Sequence, residues 1–301
     1  MRNIIGNKPT QQTQVFGSWD EFVGYVEETP SDMEIEKRAS YSAKEQRSRE
    51  QHEIVKYWGG EYSMEIALTK ARKGWKEGAA EILKTLNDFQ IPAKRTVQEI
   101  AFSPVGPGTL DMGRYIQGHP QSWMVWQDTE TTNDQMTANG GVVRLGINIS
   151  QSGGVSATTR FQTGALILSL IDLLEKNNRR VELTLFNSID GTGGAYMRQQ
   201  VTVKQADSPV NLPILAFAFA NAATQRRLCW AVRETLDADT RTACGISMHG
   251  GMGNTDPDWF GIDPHGLTRI KGAEGASGSH QRRIQWLQAQ LKEQGIEWDG
   301  K

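Results

Sequence analysis

Residues 142–190 constrain the fold more than any other part of the chain. Val142–Ile149 is a short apolar run rich in β-branched residues, and Gly and Ser follow it. Apolar periodicity then runs from Thr159 to Glu175, and Val181–Phe186 repeats the strand pattern. A buried strand, a polar turn, a helix and a second buried strand spell a βαβ unit. Its strands should lie parallel, with a right-handed crossover. In such sheets ligands meet the loops at the strands' carboxyl ends, here 148–159 and 187–198.

Alternation of strand and helix patterns continues downstream and gives an α/β fold on a mostly parallel sheet, Rossmann-like or von Willebrand factor A-like. Gln199–Lys204 alternates as a strand, and Leu212–Leu236 reads as one long helix. Ala243–Met248 and Trp259–Ile262 read as further strands, Gly272–Ser279 as a flexible turn and Gln281–Gln294 as a closing helix. Upstream, residues 1–15 are polar and expected to be mobile. Ser18 and Glu21 form a capping box ahead of Phe22, Val23 and Val26, and Pro30 ends that helix. Helical patterns follow from Ser63 to Lys73 and around Ile82, Leu83, Leu86 and Phe89. The expected organisation is a mostly helical N-terminal lobe over 1–100 and a loop-rich connection over 101–140. The α/β core then occupies 141–301, forming one compact unit with the lobe.

Composition narrows the functions. With 38% apolar and 23% charged residues the 301-residue chain is globular, and a net charge of −2 excludes coating nucleic acid by bulk charge. Cys229 and Cys244 are too few for a disulfide scaffold and read as buried core thiols in a reducing compartment. The N-terminal stretch lacks the apolar core of a secretory leader. The longest apolar run, Leu212–Ala220, is too short to span a bilayer, so no membrane association is expected.

Four motifs follow one another upstream of the βαβ unit: Ser18-Trp19-Asp20-Glu21-Phe22, Trp58-Gly59-Gly60, Gly74-Trp75-Lys76-Glu77-Gly78, and Asp111-Met112-Gly113-Arg114-Tyr115-Ile116-Gln117-Gly118-His119-Pro120. Their order over residues 16–125 resembles a family of bacteriophage and prophage proteins, and is similar there to the single-stranded-DNA-binding RNA polymerase cofactors of N4-like viruses. The resemblance implies a protein of the infected host's cytoplasm that acts in early transcription or replication. It also implies single-stranded DNA and a phage RNA polymerase as partners, and no catalysis. It supplies no catalytic residues.

The residues offer contacts of that kind. Between Lys176 and Lys204 five cations face two acids, and Arg160, Tyr196, Arg198 and Lys204 lie on or beside the expected strand-end loops. Arginine forks match phosphates and an aromatic ring can stack on a base. A second patch, Lys37, Arg38, Arg47 and Arg49, belongs to a segment with six cations and three acids between Lys37 and Lys56. That segment reads first as a solvated helix with intrahelical ion pairs, and a binding arm is the sharper alternative. Weak contacts repeated along a strand favour a homo-oligomer.

Other constellations carry less. Asn148-Ile149-Ser150-Gln151-Ser152 resembles the Asp-x-Ser-x-Ser metal motif of von Willebrand factor A domains, but Asn148 replaces the only carboxylate. The same likeness offers a second reading, a degenerate scaffold for protein partners. His249, Asp256, Asp258, Asp263 and His265 match no metal-ligand spacing. Gly191–Gly194 and His249–Gly253 lack the Lys-Ser/Thr ending of a phosphate loop. No metal and no cofactor is expected.

Overall fold

A computed structural model describes residues 3–5, 8–29, 60–87, 94–106, 108–132, 141–152, 154–177, 179–246, 254–261, 266–271, 273 and 279–296. The βαβ unit forms as the pattern dictates. Strand β6 (Val142–Asn148) leads into helix α5 (Ala157–Lys176), which returns to β7 (Arg180–Asp190), and the two strands pair directly and in parallel. Ser156 caps α5 by accepting from the Thr159 amide. Nearly every residue of α5 from Thr163 to Leu174 is buried, because it packs against the helices Leu212–Ala220, Lys76–Asn87 and His280–Glu293 and against β7 at once. A helix enclosed on several sides is apolar all round and needs no polar stripe.

Around this unit runs a seven-stranded, mostly parallel sheet in the order β1 (Asn3–Ile5), β2 (Gln11–Phe16), β8 (Tyr196–Lys204), β7, β6, β10 (Leu267–Ile270), with β9 (Asn254–Thr255) on β7. The parallel pairings are β2 (Gln11–Phe16) with β8 (Tyr196–Lys204), β6 with β7, and β6 with β10 (Leu267–Ile270). Strands β7 and β8 form an antiparallel hairpin, and β1 (Asn3–Ile5) is antiparallel to β2. Three upstream helices, α1 (Trp19–Glu28), α2 (Met64–Lys73) and α3 (Lys76–Asn87), pack onto this body. Helix α1 lies on β8, while α2 and α3 lie on α6 (Leu212–Ala220). A second, three-stranded antiparallel sheet pairs β3 (Lys94–Ser103) with β5 (Trp123–Thr132) and β5 with β4 (Thr109–Leu110). A short helix, α4 (Met112–Ile116), sits at its turn.

Several sequence expectations change. Residues 11–16 are not a mobile tail but a strand of the main sheet, its Thr13, Gln14 and Phe16 buried. Inter-strand hydrogen bonds to β8 satisfy its polar backbone, which composition alone could not show. Residues 94–103 add a strand to a region read as mostly helical. The long helix breaks at Asn221, whose side chain accepts from the Ala223 amide. Thr224 bonds back to the Phe217 carbonyl, and the chain continues as a π-helix (Thr224–Cys229) and α7 (Trp230–Glu234). Polar side chains thus compete for the backbone groups that a straight helix would use. Ala243 closes a capped helix, α8 (Ala238–Ala243), rather than opening a strand, because Asp237 accepts from the Thr240 amide and hydroxyl. Trp259–Gly261 is loop, and the nearby strand is β9 (Asn254–Thr255). The closing helix, α9 (His280–Glu293), forms with Ser279 as its cap.

Two of the upstream motifs explain themselves as packing devices. Gly74 ends α2 at φ +84°, a conformation that L side chains rarely adopt, and a Cβ there would strike Pro213. Gly78 leaves room for the Trp75 indole, which packs edge-on against Phe161 of α5. In the first motif Glu21 accepts from the Gly17 amide, and Trp19 donates to the Ala71 carbonyl of α2. These residues clasp the N-terminal helices to the core.

Candidate functional site

Parallel β6 and β7 end at Asn148 and Asp190, and antiparallel β8 begins beside them at Tyr196. This carboxyl edge gathers most of the polar residues singled out in the sequence. Asn148 holds it together. Its amide donates to the carbonyls of Asp256 (3.1 Å) and Trp259 (2.7 Å), and its Oδ1 accepts from the Ser150 amide at 2.7 Å. Ser150 in turn accepts from the Ser188 amide at 2.6 Å and reaches Asn187 at 3.3 Å. An amide can donate and accept at once, whereas a carboxylate here would point at two carbonyl oxygens. Asn148 is therefore a structural pin. Among the described residues no group of three or more His, Cys, Asp or Glu side chains could hold a metal ion. His249, Asp263 and His265 lie outside the described residues.

Behind the pin lies a buried polar network. Arg233 is 1% exposed and donates to Asn187 Oδ1 at 2.9 Å. Asn187 donates to Gln199 Oε1 at 2.5 Å, and Gln199 donates to the Cys229 carbonyl at 3.0 Å. Burial pushes Arg233 down to about 10, with Cys229 and Cys244 opposing the shift. Burial also pushes the Cys229 thiol up to about 12, against the pull of Arg233 and Arg160. Both cysteines are buried, as the sequence implied, and Cys229 is a thiol rather than a nucleophile at neutral pH.

The first group of sequence-selected contact residues divides. Tyr196 and Arg198 come together on the edge, where the Arg198 guanidinium lies 4.1 Å from the Tyr196 ring centroid and 5.4 Å from that of Trp259. Asp190 and Asp256 flank it at 3.4 and 3.6 Å. Burial raises the Asp190 carboxyl, the Asp256 charge raises it further, and Arg198 pulls it back. Two acids around one arginine leave the cluster formally negative, so an incoming phosphate meets less attraction than the sequence suggested. Trp259 and Asp256 escaped notice as partners of Arg198 because they lie about sixty positions away in a Gly-rich segment.

Arg160 and Lys204 do not share that surface. Arg160 is 6% exposed and donates to the Gln151 carbonyl at 3.2 Å. Lys204 is 5% exposed and binds Glu175 (2.8 Å) and the Val181 carbonyl (2.8 Å). Both read as surface cations in the sequence, yet the helix and hairpin around them enclose their stems and engage their heads. Lys37, Arg38, Arg47 and Arg49 lie outside the described residues.

A half-open pocket of about 350 Å³, counted out to its mouth, lies between the end of β6, the first turns of α5 and the end of α6. Arg160, Thr163 and Ile167 of α5 face Ile147 and Phe219 across it. The π-helix steadies its rim: Gln225 accepts from the Gln151 amide and donates to its carbonyl, and Arg226 donates to the Val155 carbonyl. Single π-turns inside helices recur at functional sites.

The fourth motif forms the tip of the small sheet. Asp111 caps α4 by accepting from the Arg114 amide, and Arg114 lies 3.9 Å from the Phe102 ring centroid. Met112, Tyr115 (60% exposed) and Ile116 (77% exposed) face solvent. In the sequence they pass for ordinary loop residues between Gly and Pro.

These features define a mixed α/β protein with a mostly parallel sheet, a polar carboxyl edge and a separate antiparallel ribbon. The chain belongs to the family described as a domain of unknown function (DUF7192), which it matches over residues 4–293. No curated protein and no solved structure matches it. No helix among the described residues is long and apolar enough to cross a membrane.

Proposed function

We propose that this protein is a non-catalytic interaction module on a von Willebrand factor A-like frame, with its metal motif converted into a structural pin. The observation that carries this reading is Asn148 bonded to the Asp256 and Trp259 carbonyls at the end of the first βαβ strand. The local order β8-β7-β6-β10 supports it, with the hairpin strand antiparallel and the other three parallel. Guided by the motif resemblance, we extend this proposal to a role in early phage transcription or replication in the host cytoplasm, with a phage RNA polymerase as the protein partner.

Single-stranded DNA is the second reading, favoured by Arg198 lying against both Tyr196 and Trp259 on the open edge. A stacked arginine and two rings suit unpaired bases, which stack at roughly 1–3 kcal/mol each, and a homo-oligomer would multiply such contacts. Gel shifts with single-stranded DNA, duplex and RNA at two salt concentrations, beside a nuclease-treated binding assay against the phage polymerase, separate the two. A nuclease-resistant complex supports the module. A salt-sensitive single-strand preference, lost in Arg198→Ala, supports DNA binding. Neither signal rejects both.

A further inference from the structure

We propose that the three-stranded ribbon is a dimerisation element, in which β3 pairs antiparallel with β3 of a second copy of this chain. Strand β3 is an outer strand of the ribbon, and among the described residues nothing pairs with its far side. An outer strand presents a row of backbone N–H and C=O groups that another strand can meet. Folds ordinarily blunt such edges with Pro, a bulge or a very short strand. The outer strands of the main sheet, β1 and β10, follow that rule with three and four residues. Strand β3 has ten and contains no Pro. Its pairing with β5 runs without a shift from Lys94 opposite Thr132 to Ser103 opposite Trp123. A long, regular edge of this kind is a template for strand addition.

Charge complementarity decides the occupant. In a two-fold antiparallel pair centred on Val97, Val97 stands opposite itself and Arg95 opposite Glu99 of the second copy, and symmetry repeats the Arg95–Glu99 match at the other end. Unlike charges directly opposed on paired strands stabilise, and like charges destabilise. Neighbouring registers lose this match. Centred on Thr96 or Gln98, Arg95 meets Val97 or Ala101, and centred on Glu99 that acid meets itself. The far edge of β5 is also open beyond Met124 among the described residues. It carries Asp128 and Glu130 and no cation, so self-pairing there gathers like charges. Pairing β3 with β5 of another copy would repeat from chain to chain, whereas β3 on β3 closes a two-fold dimer and joins the ribbons into one sheet. Dimerisation through β3 is independent of what the carboxyl edge binds.

The test is sedimentation equilibrium of the full chain over a range of concentrations, beside cysteine cross-linking under mild oxidation. A reversible dimer is expected. Arg95→Glu, which sets like charges opposite each other twice, should weaken it about tenfold or more. The double exchange Arg95→Glu with Glu99→Arg should restore it, which a variant that merely unfolds the ribbon would not do. Only the residue on the two-fold axis stands opposite itself, so Val97→Cys should link two chains while Gln98→Cys does not. The native Cys229 and Cys244 are buried and should give no link. A monomer at every concentration, an unchanged dimer in Arg95→Glu, no recovery in the double exchange, or linking through Gln98→Cys instead of Val97→Cys would each overturn the assignment.

Discussion

The carboxyl edge of the main sheet and the tip of the three-stranded ribbon invert each other. The edge is rich in Asn, Ser, Gln and Arg, the residue types of a binding site, yet most of these side chains are turned inward and bonded to one another. The tip carries Met, Tyr and Ile, the types of a core, and exposes them. Buried polar groups must find partners, so a polar motif at a strand end can be wholly absorbed by the fold. Exposed apolar residues gathered on one short helix have no such structural excuse. The contrast locates stability in the edge and leaves the tip's apolar side chains open to solvent.

The sharpest way to break this contrast is Asn187→Ala. It takes one partner each from Gln199, Ser150 and the buried Arg233, and urea unfolding should show a loss of about 3–5 kcal/mol. A loss below 1 kcal/mol would mean the network is not structural. Asn148→Asp comes next. Its carboxylate would face two carbonyls, with an expected loss of about 2–3 kcal/mol that added Mg²⁺ does not restore. Restoration by Mg²⁺ would return the motif to metal chemistry.

Asp190 tests the edge by pH. Its folded carboxyl lies above the ordinary 3.8, so the native state holds more protons than the unfolded one. That contribution to stability is complete below pH 3.8 and is lost as pH rises through the raised value. Asp190→Asn should flatten this slope between acid and neutral unfolding curves. The smallest effect belongs to the tip: Ile116→Lys should change stability by no more than about 0.5 kcal/mol, while lowering the binding of a hydrophobic dye. A large destabilisation would show that the tip is packed after all.

The central architecture was legible in the sequence because it depends on local periodicity. Strand, helix and strand over 142–190 each satisfy a short-range pattern, and Ser18 and Ser63 cap the helices they precede. What failed depends on distant partners. Gln11–Phe16 is a strand only because β8 lies beside it, and Lys204 is buried only because Glu175 and the Val181 carbonyl close over it. The candidate site suffered in the same way: Arg198 was visible, but the two acids that offset its charge became apparent only in three dimensions.

The insertion of β2 beside β8 has a consequence for the order of events during synthesis. The Gln11 side chain bonds to the Gly194 carbonyl across 183 positions. At roughly 5–20 residues per second, the first of these strands waits about ten seconds or more on the ribosome before its partner is made. Until then its edge is open to any other strand, and pairing across so long a loop is slow once it becomes possible. The hairpin β7–β8 can form from neighbours as soon as it emerges, so the body can assemble first and take up its own beginning last.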